Sequence, residues 1–326
     1  MKNFQIIRAL SSGSAVSSMG KESSAMFIAG GTNLVDLMKK NVVAPDKLVD
    51  ITNLDLKKIE FLTGKVSIGA LAKNSQVAED ATIKEKHPLL ALALAAGASQ
   101  QIRHMATVGG NMLQRTRCPY FYNTDMPCNK RVPKSGCGAI GGSNRMHAIF
   151  GASDSCIAVH PSDMCVALAA LDTTVLVEGP KGKRQIKFTD FHRLPGNTPE
   201  KDNTLENKEL ITSIEIADNN FNKNVHYLKV RDRSSYAFAL ISVAVALDIK
   251  NNTINNARLA MGGVAHKPWR LTEAEEFLKG KTVSETVFKQ AADLAMKGAK
   301  SYGDNDFKLK LGPNAIKEAL TIAASK

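Results

Sequence analysis

The chain has 326 residues, 44% hydrophobic and 23% charged, ordinary globular values that allow two or three domains with real cores. A net charge of +12 invites a nucleic-acid reading, yet the lysines are scattered, aromatic residues make up 6%, and no helix-turn-helix, zinc-finger or RNA-binding signature occurs. The positive field is better matched to an anionic cofactor or acidic partner subunits, so no nucleic-acid partner is expected.

In chain order, Met26-Phe27-Ile28-Ala29 predicts a buried strand ended by Gly30-Gly31. Thr32 or Asn33 is then placed to cap a short helix with Leu34, Leu37 and Met38 on one face. Lys47 to Thr52 is a second strand. Ile59 to Leu62 and Val66 to Ala70 flank the hairpin signal Thr63-Gly64-Lys65, and Leu89 to Ala98 is an alanine-rich helix leading to Gly109-Gly110. Met164 to Leu171 predicts a helix, and Thr173 to Val177 pairs with Gln185 to Phe188 across Gly-Pro-Lys-Gly. A polar surface loop from Pro195 to Lys208 precedes a strand at Ile211 to Ile216. Three strands follow, Val225–Val230, Ala237–Leu247 and Ala257–Val264. Two helices then start at the capping boxes Thr272 to Glu275 and Thr282 to Glu285. This order predicts a separate α+β unit beginning near residue 222.

Two glycine turns carry chemistry. Gly30-Gly31-Thr32-Asn33 lies where a strand gives way to a helix, and glycine lets backbone amides approach an anionic ligand. Thr107-Val108-Gly109-Gly110-Asn111 is a second such turn. Neither has the G-x-G-x-x-G or Walker spacing, and either alone reads equally as a tight turn. As a pair they suit the two ends of a diphosphate-containing cofactor.

Between the second turn and residue 160 lies a loop of roughly 40 residues without helical or strand period, which normally has a function or a cross-link. It holds four of the five cysteines, Cys118, Cys128, Cys137 and Cys156, among glycine, proline and basic residues. Disulfides are disfavoured without a secretory signal. Zinc usually takes close C-x-x-C pairs, whereas nine, eight and eighteen residues separate these cysteines. An iron–sulfur cluster tolerates wide spacing. Arg115, Arg117, Lys130, Arg131 and Lys134 are expected to favour thiolates and offset a cluster's charge. Cluster, zinc and structural thiols all stay open on residues alone. Cys165 reads as a small buried hydrophobe beside Leu168 and Ala169. His104, His147, His160 and His266 have no evident carboxylate partner.

Taken together, Phe27-Ile28-Ala29-Gly30-Gly31-Thr32-Asn33-Leu34, Ala106-Thr107-Val108-Gly109-Gly110-Asn111 and His160-Pro161-Ser162-Asp163 give a resemblance over nearly the whole chain. The chain resembles the FAD-binding subunit of the xanthine dehydrogenase and aldehyde oxidoreductase family of molybdenum hydroxylases. The insertion from Arg117-Cys118-Pro119-Tyr120-Phe121-Tyr122 through Cys156 is similar to the periplasmic aldehyde oxidoreductase type, whose flavin subunit holds an extra [4Fe-4S] cluster. A related insertion occurs in the hydroxybenzoyl-CoA reductase branch, so the flavin subunit of a reductase of that kind, or of another molybdenum hydroxylase, is the alternative.

The resemblance implies an α+β fold. An FAD-binding domain would span 1–221, with subdomains of about 1–55 and 56–221 and an Fe-S insertion at 114–159. A C-terminal domain at 222–326 would carry a three-stranded sheet and helices. It implies that Phe27, Ile28, Ala29, Gly30, Gly31, Thr32, Asn33 and Leu34 wrap the FAD diphosphate, with Thr107, Gly110 and Asn111 as the facing turn. Ser162 and Asp163 would bind along the ribityl and diphosphate, Ile211 near the adenine, Lys229 as a further polar contact, and Tyr236 near the isoalloxazine. Cys118, Cys128, Cys137 and Cys156 would ligate the [4Fe-4S] cluster. No catalytic residue is expected on this chain. A large molybdenum-cofactor subunit would oxidise the aldehyde to a carboxylic acid, and a small subunit with two [2Fe-2S] clusters would pass electrons to FAD here and on to an external acceptor. No NAD fingerprint is identifiable.

No apolar run reaches the roughly 20 residues of a membrane helix, so no membrane role is expected. The start MKNFQIIRAL turns polar too early for a secretory signal and has no twin arginine. Co-export of the folded heterotrimer to the periplasm on a partner's signal is the expectation, with a cytoplasmic location as the alternative. Two rival functions remain: a standalone flavoprotein oxidoreductase, and a basic scaffold or nucleic-acid module with a structural metal, in which the glycine turns would have no use.

Overall fold

The computed structural model describes residues 1–20 and 24–326. Its strands form three sheets. The first is parallel, ordered β1-β3-β2, with β1 at Gln5–Arg8, β2 at Ala25–Ile28 and β3 at Lys47–Asp50. The helices Ser12–Ser18 and Leu34–Lys39 make the crossovers that parallel pairing requires. Phe27 pairs with Val49, so the strand predicted at 26–29 runs beside a fully buried neighbour and delivers Gly30-Gly31 at its end.

The second sheet is antiparallel, ordered β4-β5-β8-β6-β7. Its strands are β4 (Ile59–Leu62), β5 (Lys65–Gly69), β6 (Thr174–Gly179), β7 (Gly182–Lys187) and β8 (Leu210–Ala217). Both predicted hairpins are present, and Gly64 takes the positive φ of 78° that its turn requires. Helices Pro88–Ala96 and Asp163–Ala170 pack against each other and against the third sheet, and share one large core with this second sheet; every residue of the second helix is buried.

The third sheet, ordered β12-β11-β10-β9, uses β9 (Asn224–Val230), β10 (Ile241–Lys250), β11 (Thr253–Gly262) and β12 (Trp269–Arg270). It therefore has a fourth, two-residue strand beyond the three expected. The predicted strand at 237–247 begins only at Ile241, because Phe238 and Ala239 turn aside to line a cavity. Helices Thr272–Leu278, Glu285–Ala295 and Phe307–Ala324 complete this part. The last was hidden by Gly312-Pro313, a breaker signal in the sequence. The helix accepts both residues, since Gly312 lets the Met296 side chain approach closely.

Two capping expectations are corrected. Thr272 is the first helical residue and caps nothing; Glu275 instead accepts the Leu259 N–H and pairs with Arg270. At the next helix Ser284, not Thr282, caps, accepting from Val287 N. No helix among the described residues is long and apolar enough to cross a membrane.

Candidate functional site

The two glycine turns, far apart in sequence, line one cavity. Every residue from Phe27 to Leu34 borders it, with Thr107, Gly110 and Ile211 opposite. The turns approach so closely that a Cβ on Gly30 would collide with the Met105 carbonyl oxygen, so glycine is required there. Gly31 follows at φ 70°. Thr107 accepts from Gly110 N at 3.2 Å and fixes the facing turn. Asn33 does not cap the helix after it. Its Oδ1 accepts from Arg115 N at 3.0 Å, tying this turn to the start of the cysteine loop. That leaves Asn33 Nδ2, on the cavity wall, buried without a partner. An unpaired buried donor beside close-approach backbone suits an anionic ligand.

Asn111, next to Gly110, lines neither this cavity nor a second one, but its side chain ties the two walls together. Its Oδ1 accepts from Ser162 Oγ at 2.6 Å and from Gln114 Nε2 at 2.6 Å. Ser162 and Asp163 line the second cavity together with Arg117, Phe238 and Gly263. Ser162 also caps the buried helix by accepting from Cys165 N at 3.1 Å. An Asn–Ser contact thus links the walls of the two cavities, which share no lining residue. Lys229 lies behind this wall: its Nζ donates to Asp163 Oδ2 at 2.7 Å and to the Ala96 carbonyl at 3.0 Å. It is a buried ion-pair partner of Asp163 and lines neither cavity, so the direct cofactor contact expected of it is not seen. Tyr227 OH donates to Asp163 Oδ1 at 2.8 Å, so the carboxylate is held from two sides. Tyr236 is exposed and lines neither cavity; Phe238, two residues on, does.

The cysteine loop folds into a cage. Cys118, Cys128, Cys137 and Cys156 all face one small cavity, and no disulfide joins any of them. Cys128 and Cys137 lie on facing backbone segments. The Cys156 thiol shares a hydrogen bond with Cys137, which holds Cys137 down at about 6 and pushes Cys156 up. Burial raises Cys118 to about 11. Four cysteines on one cavity, two of them buried, fit a cluster ligated by four thiolates. Phe121 and Cys128 pack with Leu37 and Val42, so the cage rests on the helix that leaves the first glycine turn.

The basic residues act differently from the sequence expectation. Arg131 donates to the carbonyls of Tyr120 and Phe121, both at 2.8 Å, and to those of Thr124 and Met126. Arg117 pairs with Asp36 at 3.2 Å. Buried Lys130 and Arg115 converge on Asp202. Burial alone would raise the Asp202 carboxyl, but these two charges outweigh it and hold it near 2. These side chains brace the loop, although the Lys130 charge still favours the Cys156 thiolate. Lys134 is exposed.

Sequence reasoning missed the buried histidines as a group. His147 Nε2 lies 3.1 Å from Cys118 Sγ, and burial followed by the Lys308 charge lowers its imidazole to about 4. His160 and His192 lie 4.3 Å apart between ring centres with their planes tilted by 49°, and burial first of all lowers both imidazoles. Burial lowers His266 to about 3. No spacing in the chain marks them, because they come from separate loops. His104 is exposed.

The sequence and its structure were then set beside known proteins. Residues 2–217 match the model for the FAD binding domain in molybdopterin dehydrogenase, and residues 226–322 match the CO dehydrogenase flavoprotein C-terminal domain. The aldehyde oxidoreductase FAD-binding subunit PaoB of Escherichia coli is 43% identical over 330 residues, covering 100% of both chains. The glyceraldehyde dehydrogenase medium chain of Sulfolobus acidocaldarius is 29% identical, covering 89% of this chain and 85% of its own. In structure, carbon monoxide dehydrogenase from Hydrogenophaga pseudoflava superposes with a TM-score of 0.78 at 24% identity, over 99% of this chain and 98% of that one. Quinoline 2-oxidoreductase from Pseudomonas putida 86 gives 0.76 at 25% identity, over 100% and 99%. With two glycine turns on one cavity and both family models spanning the chain, this protein belongs to the FAD-binding subunits of the molybdenum hydroxylases, oxidoreductases of the molybdopterin dehydrogenase type.

Proposed function

We propose that this chain is the electron-transfer subunit of a heteromeric, molybdenum-dependent aldehyde oxidoreductase, working with a large molybdenum-cofactor subunit and a small subunit carrying two [2Fe-2S] clusters. Substrate oxidation would occur on the large partner, and electrons would leave through an external acceptor. The observation that carries this reading is a pair of cavities whose walls are tied by the Asn111–Ser162 hydrogen bond, one bordered by the run Phe27–Leu34 and the other by Ser162 and Asp163. The aldehyde class is supported by the names of the Escherichia coli and Sulfolobus relatives.

Bound FAD would supply reversible uptake of electrons from the partner. The chain's own residues would hold it: amides of the turn at Gly30 and Gly31 and the free Asn33 Nδ2 suit the diphosphate, Thr107 and Gly110 close the other side, and Asn111 would act beside them through its bond to Ser162. Ile211 would pack at the adenine end. Ser162 and Asp163 would bind along the ribityl chain, and Lys229 would act through Asp163 rather than by direct contact. Cys118, Cys128, Cys137 and Cys156 would hold a [4Fe-4S] cluster. The division at about residue 222, and export to the periplasm as a folded complex, belong to the same reading.

The complex purified without oxygen should show flavin absorption, an iron–sulfur shoulder, and about four irons per copy of this chain beyond those of the small subunit. Zinc, or no metal, in that material would refute the cage assignment while leaving the flavin assignment standing. Aldehyde oxidation by this chain alone would refute the division of labour. A cytoplasmic location with all partners present would refute export.

A further inference from the structure

Thr116, Cys118 and His147 line both the cysteine cage and the cavity that holds Ser162 and Asp163. A single layer of side chains therefore separates the two. Within that layer His147 Nε2 stands 3.1 Å from Cys118 Sγ, while the other ring nitrogen, Nδ1, is buried without a partner. An orphaned buried N–H is rarer than an acceptor left unfilled, so the single proton of the ring belongs on Nε2, facing the sulfur. The backbone around the ring is fastened from several directions. The His147 carbonyl accepts from Lys308 Nζ at 2.8 Å and from Asn305 Nδ2 at 3.3 Å, and its N–H donates to the Asn144 carbonyl at 2.9 Å. Asn144 is itself held by donating to the Tyr302 carbonyl at 2.7 Å. The remaining polar neighbours of the sulfurs include backbone amides, those of Tyr120 and Phe121 at Cys118 and of Ala139 and Ile140 at Cys137. His147 is a side-chain donor, and substitution can remove it.

We propose that His147 is a positioning residue whose Nε2–H donates to the Cys118 sulfur and raises the reduction potential of the cluster held by the four cysteines. The inference rests on the cage assignment above. A donor on a ligating sulfur stabilises the more negative form of the cluster, which is the reduced one. Such outer hydrogen bonds tune metal centres without touching the metal. The ring also sits on the side of the cage that faces the flavin cavity, so the tuned sulfur is the one nearest the route between the two groups.

The test uses the intact complex with its partners, as wild type, His147→Leu and His147→Gln, with iron counted per chain and the reduced cluster followed by electron paramagnetic resonance across a redox titration. At the potential where half of the wild-type clusters are reduced, about a tenth should be reduced in the Leu variant, the size expected for losing a hydrogen bond to a charged group. The Gln variant keeps an N–H within reach of the sulfur and should recover most of that loss. Flavin content and the partner's [2Fe-2S] midpoints should not move. A Leu variant with full iron and an unshifted midpoint overturns the proposal. If the Leu variant loses iron, the Gln variant decides: full iron with a midpoint near wild type supports it, and iron loss in both overturns it. A wild-type complex without the cluster sinks the cage assignment itself, an outcome distinct from either.

Discussion

Gly30 shows how little freedom the first turn has. A methyl group there meets the Met105 backbone rather than a side chain that could swing away, so the two turns must separate to admit it. Gly30→Ala should cost about 1–3 kcal/mol of stability, as overpacking does, and lower the flavin-to-protein ratio of the purified complex. Thermal unfolding and the flavin absorbance would check both, and a variant retaining full flavin would count against the close-approach argument. Lys308 gives a pH dependence. Its side chain is fully buried, donating to the carbonyls of His147 and Gly263, and burial first, then the Arg145 charge, lowers its amine to about 7. In the unfolded chain that amine titrates near 10.4. Between those values the unfolded state binds more protons, so this group makes stability rise with pH from about 7 to about 10 and adds no slope outside that window. The difference in urea-unfolding free energy between wild type and Lys308→Met should therefore grow across that window, by up to about 1.4 kcal/mol per pH unit. A constant difference would refute it.

At the level of elements, the cage is a loop braced by its own backbone contacts as well as by any metal. Arg131 alone satisfies four carbonyls, and Lys130 with Arg115 ties the loop to Asp202. Single Ala substitutions of Cys118, Cys128, Cys137 or Cys156 should each abolish the cluster's absorption yet leave FAD bound, because the first cavity uses none of these thiols. Cys165→Ala should keep full iron and cost about 1 kcal/mol of packing. Iron content beside flavin content separates the cases, and flavin lost with the cluster would show the two sites to be one unit. Regular elements were readable in the sequence where apolar periodicity was unbroken, as in β2, β8 and the helix at 163–170. The C-terminal helix was not, since Gly312-Pro313 is a local signal that packing overrides. The glycine turns and the four cysteines were readable because their residue types are chemically particular. The Asn33–Arg115 tie and the Asp163–Lys229 pair were not, since both join residues over 60 positions apart through ordinary side chains.

For the whole molecule, the net charge of +12 has no concentrated stripe and no membrane-spanning helix among the described residues to explain it. If it serves acidic partners, assembly from separated subunits should slow and weaken as salt rises from 0.05 to about 0.5 M, over which the screening length contracts severalfold. Gel filtration and association rates would measure this, and salt-independent assembly would refute the role of charge. The clamp on His147 has a temporal consequence. Residues 144–148 are secured by Tyr302, Asn305 and Lys308, close to the last helix. A ribosome that has made every cysteine has not yet made the residues that steady the cage wall, because Tyr302, Asn305 and Lys308 lie far downstream of Cys165. Iron loading should thus wait for those downstream residues, and nascent polypeptides stalled before residue 300 should be unable to keep a cluster even when supplied with one.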